Sequence, residues 1–371
     1  MSFGKVISCF KAHAVLIIAS LAALVSCFFV LPDMGYLAYP DYKVLCLLFC
    51  LMAVVAGLQK ANLFTVLSER IGAKIKRIRA MGLFLTLLCF FSAMFVTNDV
   101  ALITFVPFAI MVLSAVGRKD LIIYTVVLQT VAANLGSMAT PIGNPQNLYL
   151  YEKYQIPAGD FFLLTLPVTA VSLVLLCACW LFVKNDPIAM QQKEQYSTLN
   201  KRELILYAAL FVLCLFCVLR VLDYRILTAV VAVVLILFDR KLFAKVDYGL
   251  LFTFLAFFIF VGNLTRIEVI SLWLSGLLQK APFAISVICS QVISNVPAAM
   301  LLAGFTDAAK ELLLGVNVGG LGTLIASLAS LISFGQYNKM EGAKGGKYLL
   351  WFTGINLAFL AVLCVLSAFM I

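Results

Sequence analysis

Long apolar stretches alternate with short charged ones along almost the whole chain, at lengths close to the ~20 residues a helix needs to cross a hydrocarbon core. Stretches at 13–31, 43–58, 120–150, 161–183, 204–222, 225–238, 248–263, 315–337 and 347–370 predict nine spanning helices. Two more apolar stretches, 80–117 and 281–306, carry a polar triplet at their midpoint. The first is flanked by Arg77 and Arg79 on one side and by Arg118 and Lys119 on the other. Both flanks belong on the cytoplasmic side, so the stretch enters and leaves there. Arms of about 17 residues with a polar tip predict a re-entrant hairpin. The second stretch has flanks poor in basic residues and is expected to enter from outside.

The polar positions repeat. Thr97-Asn98-Asp99 is followed by Asn134-Leu135-Gly136-Ser137-Met138-Ala139-Thr140-Pro141-Ile142-Gly143-Asn144, and Ser294-Asn295-Val296 by Asn317-Val318-Gly319-Gly320-Leu321-Gly322-Thr323-Leu324-Ile325-Ala326-Ser327. Asn-x-Gly-x-x-x-Thr-x-Ile occurs in both. Backbone broken by Gly and polar residues is tolerated at membrane depth only where protein or a water-filled cavity satisfies it, so 120–150 and 315–337 are expected to be broken helices. The chain therefore divides into a first repeat, 1–184, a polar cytoplasmic linker, 185–203, and a second repeat, 204–371. An odd number of crossings between corresponding elements gives the repeats opposite orientation. Ala56-Gly57-Leu58 matches Val261-Gly262-Asn263 ahead of the hairpins, each followed by an amphipathic stretch. A duplicated pair of breaks points to the substrate site of a secondary transporter.

Composition agrees with a polytopic all-α membrane protein: 64% hydrophobic residues, 12% charged and a mean hydropathy of +1.09. Unbroken apolar runs of this length exclude a β-barrel. The first run is too long for a signal-peptide core and is expected to be retained. The net charge of +10 sits mostly in loops, among them Lys5, Lys11, Lys60, Arg70, Lys74, Lys76, Lys184, Lys193, Arg240, Lys241, Lys339, Lys344 and Lys347. That distribution reads as topology and lipid contact, not nucleic-acid binding, and puts the N-terminus inside and the C-terminus outside an inner membrane. Eleven cysteines lie mostly in apolar runs, and the pairs Cys177/Cys179 and Cys214/Cys217 lack the partners of a metal site. His13, the lone histidine, is expected to pack at a helix mouth, and nothing supports an enzyme.

Each triplet looks like a helix start, with Thr97, Asn98 or Ser294 as cap, Asp99 in the first turn, and Pro297 where its missing N–H costs nothing. Two such N-termini meeting at the midplane offer N–H groups and dipoles to an anion without a buried Lys or Arg. Candidate substrate ligands are Thr97, Asn98, Asp99, Thr140, Pro141, Asn144, Ser294, Asn295, Val296, Thr323 and Ser327. Oxygens at the breaks suit a hard cation such as sodium, giving Asn98, Asp99, Asn134, Gly136, Gly143, Asn295, Asn317, Gly319 and Gly320 as cation candidates. Gly315, Gly319, Gly320 and Gly322 also suit close helix packing. Asp99 has Val296 as its counterpart, so a proton or sodium is expected near the first tip. Glu152, Asp160 and Glu268 read as loop charges.

On these residues the chain resembles the ion transporter superfamily, which includes divalent anion/sodium symporters, citrate transporters, arsenite permeases and sodium/proton antiporters. The turn Ala139-Thr140-Pro141-Ile142-Gly143-Asn144-Pro145-Gln146-Asn147 is similar to the Gly-Thr-rich turn ending in Pro-Pro-Asn of the dicarboxylate symporters. The tips differ from their Ser-Asn-Thr and look like the anion-permease branch. The resemblance implies two sodium sites, at Asn98 and Asn295 with their facing turns, flanking a small central anion, and a homodimeric scaffold. The expected function is secondary transport of a carboxylate or an oxyanion such as arsenite, coupled to sodium or protons, with no other cofactor. A sodium/proton antiporter using Asp99 and a non-transporting membrane sensor are the alternatives.

Overall fold

The computed structural model describes residues 14–188 and 197–371. Lys5, Lys11, His13, Lys193 and the middle of the expected linker lie outside the described residues. Among the described residues the chain is a succession of helices: α1 (Ala14–Phe29), α2 (Tyr42–Lys60), α3 (Leu63–Gly72), α4 (Ile78–Val96), α5 (Asn98–Ala115), α6 (Ile122–Ser137), α7 (Pro145–Lys153), α8 (Ala158–Leu181), α9 (Lys201–Val218), α10 (Tyr224–Phe238), α11 (Tyr248–Arg266), α12 (Glu268–Lys280), α13 (Pro282–Ile293), α14 (Asn295–Leu302), α15 (Ala309–Val318), α16 (Leu328–Asn338) and α17 (Gly345–Ala368).

Both triplets split their stretch into a helix pair, α4–α5 at Thr97 and α13–α14 at Ser294, and the arms of the first pair pack against each other. Both expected broken helices are broken, into α6–α7 and α15–α16. The arms of the first hairpin are longer than the ~17 residues expected. At 19 and 18 residues, and about 28 Å long, each could cross a membrane by length and composition alone. Seven described helices meet that test, or eight if the broken pair α12–α13 counts as one. The nine stretches read from hydropathy map differently for physical reasons. Helix α10, at 15 residues, is shorter than a full span, α1 is described only from Ala14, and α9 opens on Lys201, Arg202 and Glu203.

The chain forms two compact units that do not coincide with its two halves. One comprises residues up to Ala56, Ala208–Pro282 and Met300–Asp307; the other comprises Gly57–Tyr207, Phe283–Ala299 and Ala308–Ile371. In the first, α1 packs along α11. Asn263 is buried there, donating to Ser26 Oγ at 3.0 Å and Tyr36 OH at 2.8 Å and accepting from Tyr39 OH at 3.1 Å. Gly262 lets the Tyr39 ring lie flat on α11, since a Cβ there would come within 2.5 Å of it. Arg266 donates to Asp33 at 2.6 and 3.1 Å and holds that carboxyl below its usual range.

In the second unit α4, α5 and α6 pack together, with α8, α16 and α17 against them. Residues 76–78 zip onto 186–188 through an isolated bridge, Arg77 to Pro187, and the Ile78 N–H donates to Asp186 O at 3.0 Å. Where α4 meets α8, Trp180 is buried and donates to Thr86 Oγ1 at 3.0 Å, its ring filling the space above Gly82. A Cβ on Gly82 would lie 2.0 Å from that ring. Gly82→Ala should therefore cost roughly 1–3 kcal/mol by overpacking. The check is the melting temperature of the detergent-purified protein; an unchanged value would mean that the Trp180 ring has room to move.

Candidate functional site

The tips of the two hairpins share an unusual backbone. Thr97 has φ 71° and ψ 151°, a region used almost only by glycine, and Ser294 has φ 74°. A β-branched residue at positive φ is an outlier. Neither side-chain spacing nor propensity predicted it, and Thr97 makes no side-chain capping bond. The conformation turns the next N–H toward a broken helix. Asn98 N–H donates to Gly143 O at 3.2 Å, and Asn295 N–H to Ala326 O at 2.9 Å. Gly143 and Ala326 occupy the same place in their breaks, one residue before Asn144 and Ser327.

Two further contacts repeat in the same way. Thr140 Oγ1 donates to Met94 O at 2.5 Å and Thr323 Oγ1 to Gln291 O at 3.0 Å, the acceptor in each case lying one turn before the tip. A Cβ on Gly136 would stand 2.1 Å from Phe90 O, and one on Gly319 2.9 Å from Val287 Cα, again equivalent positions. These two glycines thus serve close backbone approach between each broken helix and its hairpin. Gly320 leaves space for the amide of Asn295, whose Nδ2 would be 2.8 Å from a Cβ there.

The two copies then bond to each other reciprocally. Asn134 and Asn317 lie in the last turns of α6 and α15; Asn144 and Ser327 are the N-caps of α7 and α16. Asn144 Nδ2 donates to Asn317 Oδ1 at 3.2 Å, and Ser327 Oγ donates to Asn134 Oδ1 at 2.9 Å. When position i of one copy contacts j of the other and j contacts i, the arrangement is that of a two-fold axis. Asn98 Nδ2 joins the same cluster at Asn134 Oδ1, 3.1 Å away.

Two amides that the sequence motif did not single out hold the breaks together. Asn147 Nδ2 donates to Met138 O and Thr140 O at 3.2 and 3.1 Å, and its Oδ1 accepts from Asn317 at 2.6 Å. Gln291 Nε2 donates to Gly319 O and Leu321 O at 2.7 and 2.9 Å, while its Oε1 accepts from Thr323 N–H at 2.9 Å. Each carbonyl keeps a second lone pair for a cation. Asn147 was visible in the turn; Gln291 was not, because it lies inside an apolar run and outside the duplicated triplet.

The expected residues are thus brought together, with two adjustments. The N–H groups of Asn98 and Asn295 are engaged by the breaks, and the Asp99 N–H is taken by Asn98 Oδ1 at 2.9 Å, so these first donors are not free for an anion. The unsatisfied donor is instead Asn134 Nδ2, which is buried without a partner while its Oδ1 accepts two bonds. Pro141 and Val296 are buried, Thr140 and Asp99 half-buried, and Thr323 exposed. Asp99 follows directly on the positive end of α5, where a carboxylate is stabilised. Glu152, read as a loop charge, is buried on α7. Four helix N-termini, those of α5, α14, α7 and α16, and two C-termini, those of α6 and α15, are tied into this one network. It offers positive ends to an anion and carbonyl ends to a cation.

Comparison with known proteins points to membrane transporters. The sequence model of the citrate transporter family matches residues 6–328. An uncharacterized transporter of Methanocaldococcus jannaschii is 32% identical over 312 residues, 84% of each chain. The inner membrane protein YbiR of Escherichia coli K12 is 31% identical over 307 residues, 80% of each chain. A silicon efflux transporter of rice is 30% identical over 145 residues, covering 38% of this chain and 30% of its own.

The backbone at Thr97 carries strain of about 1–3 kcal/mol, against about 0.4–1 kcal/mol for the extra freedom a glycine gains in the unfolded chain. Thr97→Gly should accordingly melt at or above the parent temperature. A lower melting temperature would show that the threonine side chain contributes more than its backbone costs.

Proposed function

The chain belongs to the citrate transporter family, and on that premise we propose that it is a secondary active transporter carrying a small anion across the inner membrane, coupled to a sodium or proton gradient. It is a multi-pass membrane transporter, and the finer reading rests on one observation, the reciprocal bonding of Asn144 to Asn317 and Ser327 to Asn134. Two-fold pairing of the breaks is what two inverted repeats give, and inverted repeats are the device by which one site opens to either side. The unit holding all four clusters is the transport body, and the other unit is the scaffold, expected to dimerise.

In this mechanism the substrate binds where the four helix N-termini converge, with Asn134 Nδ2 as a buried donor seeking an acceptor. Oxygens of a carboxylate or oxyanion meet that demand, whereas a bare cation would leave the amide unpaired. The coupling ion sits on the carbonyl side of the breaks, near Asp99 in the first copy. The family name points to citrate and the rice relative's name to silicon, so citrate, other carboxylates, arsenite and silicate form the substrate screen.

Uptake by proteoliposomes under imposed sodium or proton gradients tests the reading. Asn98→Ala and Asn317→Ala should each lower the initial rate at least tenfold while the protein remains monodisperse; parent-like rates in both would sink the site assignment. Asp99→Asn addresses the coupling ion separately. It should abolish the response to the driving gradient while binding of substrate, read by thermal shift, persists. Sodium-driven proton movement with no anion present, lost in the same variant, would instead make the protein an antiporter.

A further inference from the structure

A cavity of about 400 Å³ lies in the unit that holds both breaks, at the ends of three candidate spans: the start of α6, the end of α8 and the start of α17. Its polar rim carries Arg118, Lys184 and Lys347, and its wall carries Tyr124, Phe182 and Trp351. The wall is fixed. Tyr124 donates to Cys179 O at 2.7 Å, and its ring meets those of Trp180 and Trp351 edge-on at 5.4 and 5.7 Å. Arg118 is held by Asp120, at 2.9 and 3.0 Å, and by Asp186 at 3.3 Å, so it positions the rim more than it supplies charge. Lys184 reaches Asp186 only at 3.5 Å with its side chain 87% exposed, and Lys347 is exposed with no ion pair to any described residue.

We propose that this cavity binds the headgroup of an anionic phospholipid, with Lys184 and Lys347 on the phosphate and the acyl chains along the adjoining apolar surface. Three features select a lipid over a dissolved anion. The cations stand at span ends, where phosphates of a bilayer lie. Tyr124 and Trp351 are amphipathic rings of the kind that settle at the headgroup level. Leu181, Phe182 and Leu350 are 64, 89 and 75% exposed beside the cavity, an apolar surface that a soluble anion would leave uncovered. The basic residues of this face also put it in the leaflet that carries anionic lipid. The site is independent of the transport clusters, and its test reads lipid, not transport.

The experiment uses the full chain in phosphatidylcholine vesicles carrying a minor fraction of brominated phosphatidylglycerol, with tryptophan fluorescence as readout. The component lost in Trp351→Phe isolates quenching at the cavity. We expect that component to be quenched several-fold more by brominated phosphatidylglycerol than by the same fraction of brominated phosphatidylcholine. The double variant Lys184→Gln/Lys347→Gln should remove that preference, bringing quenching by the two lipids to about the same level, with the melting temperature unchanged. Equal quenching by the two lipids would overturn the proposal, as would a preference that survives the double variant. Displacement by millimolar glycerol 3-phosphate in solution would assign the site to a free phosphate, and would overturn it too.

Discussion

A helix that stops inside a membrane leaves N–H and C=O groups that no water can satisfy, and each unsatisfied group costs several kcal/mol. That constraint organises the unit holding the two hairpin tips and both breaks. The tip of each hairpin gives its first N–H to a carbonyl in a break, and the threonine of each break gives its hydroxyl back to the hairpin. Asn147 and Gln291 take up the carbonyls that remain, and Gly136 and Gly319 bring the backbones near enough for the exchange. The strained conformations of Thr97 and Ser294 follow from the same demand, since they aim the N–H that closes the contact.

Much of this was legible in the sequence. The breaks fall where Asn, Gly, Thr and Pro interrupt an apolar run, because hydropathy and backbone permissiveness are local properties. The matching of Asn134 to Asn317 and of Asn98 to Asn295 was legible from order and spacing. The partners were not. A triplet beginning Thr-Asn-Asp reads as a capped helix start, whereas the contact across to Gly143 overrides the local preference and puts Thr97 at positive φ. Gln291 lies in an apolar stretch and declares its role only once the second break is folded beside it. Glu152 follows the turn by one short helix and reads as a surface charge, until α7 proves to be buried on every side. Arm length was misjudged because the ends were set by charged residues, while α4 begins directly after Arg77.

The two copies depart from symmetry at their caps and tips. Asn144 caps α7 with its own side chain, accepting from Asn147 N–H at 3.0 Å, whereas Ser327 makes no such bond and gives its hydroxyl wholly to Asn134. Asp99 stands in the first turn of α5 where Val296 stands in the first turn of α14. One copy is thereby more polar and more fully bonded than the other. A pair of sites built on such copies would differ in affinity even with the same backbone plan.

The reciprocal capping also bears on how the chain is made. Residues Asn134 and Asn144 leave the ribosome long before Asn317 and Ser327, and at about 5–20 residues per second the delay is on the order of ten seconds. During that interval the first break has its hairpin and Asn147 but lacks the three bonds it shares with Asn317 and Ser327. The polar cluster at its centre must meanwhile be sheltered by the insertion machinery or by water. Completion of the first half therefore waits on the second, and α15 and α16 close a network that the early helices began.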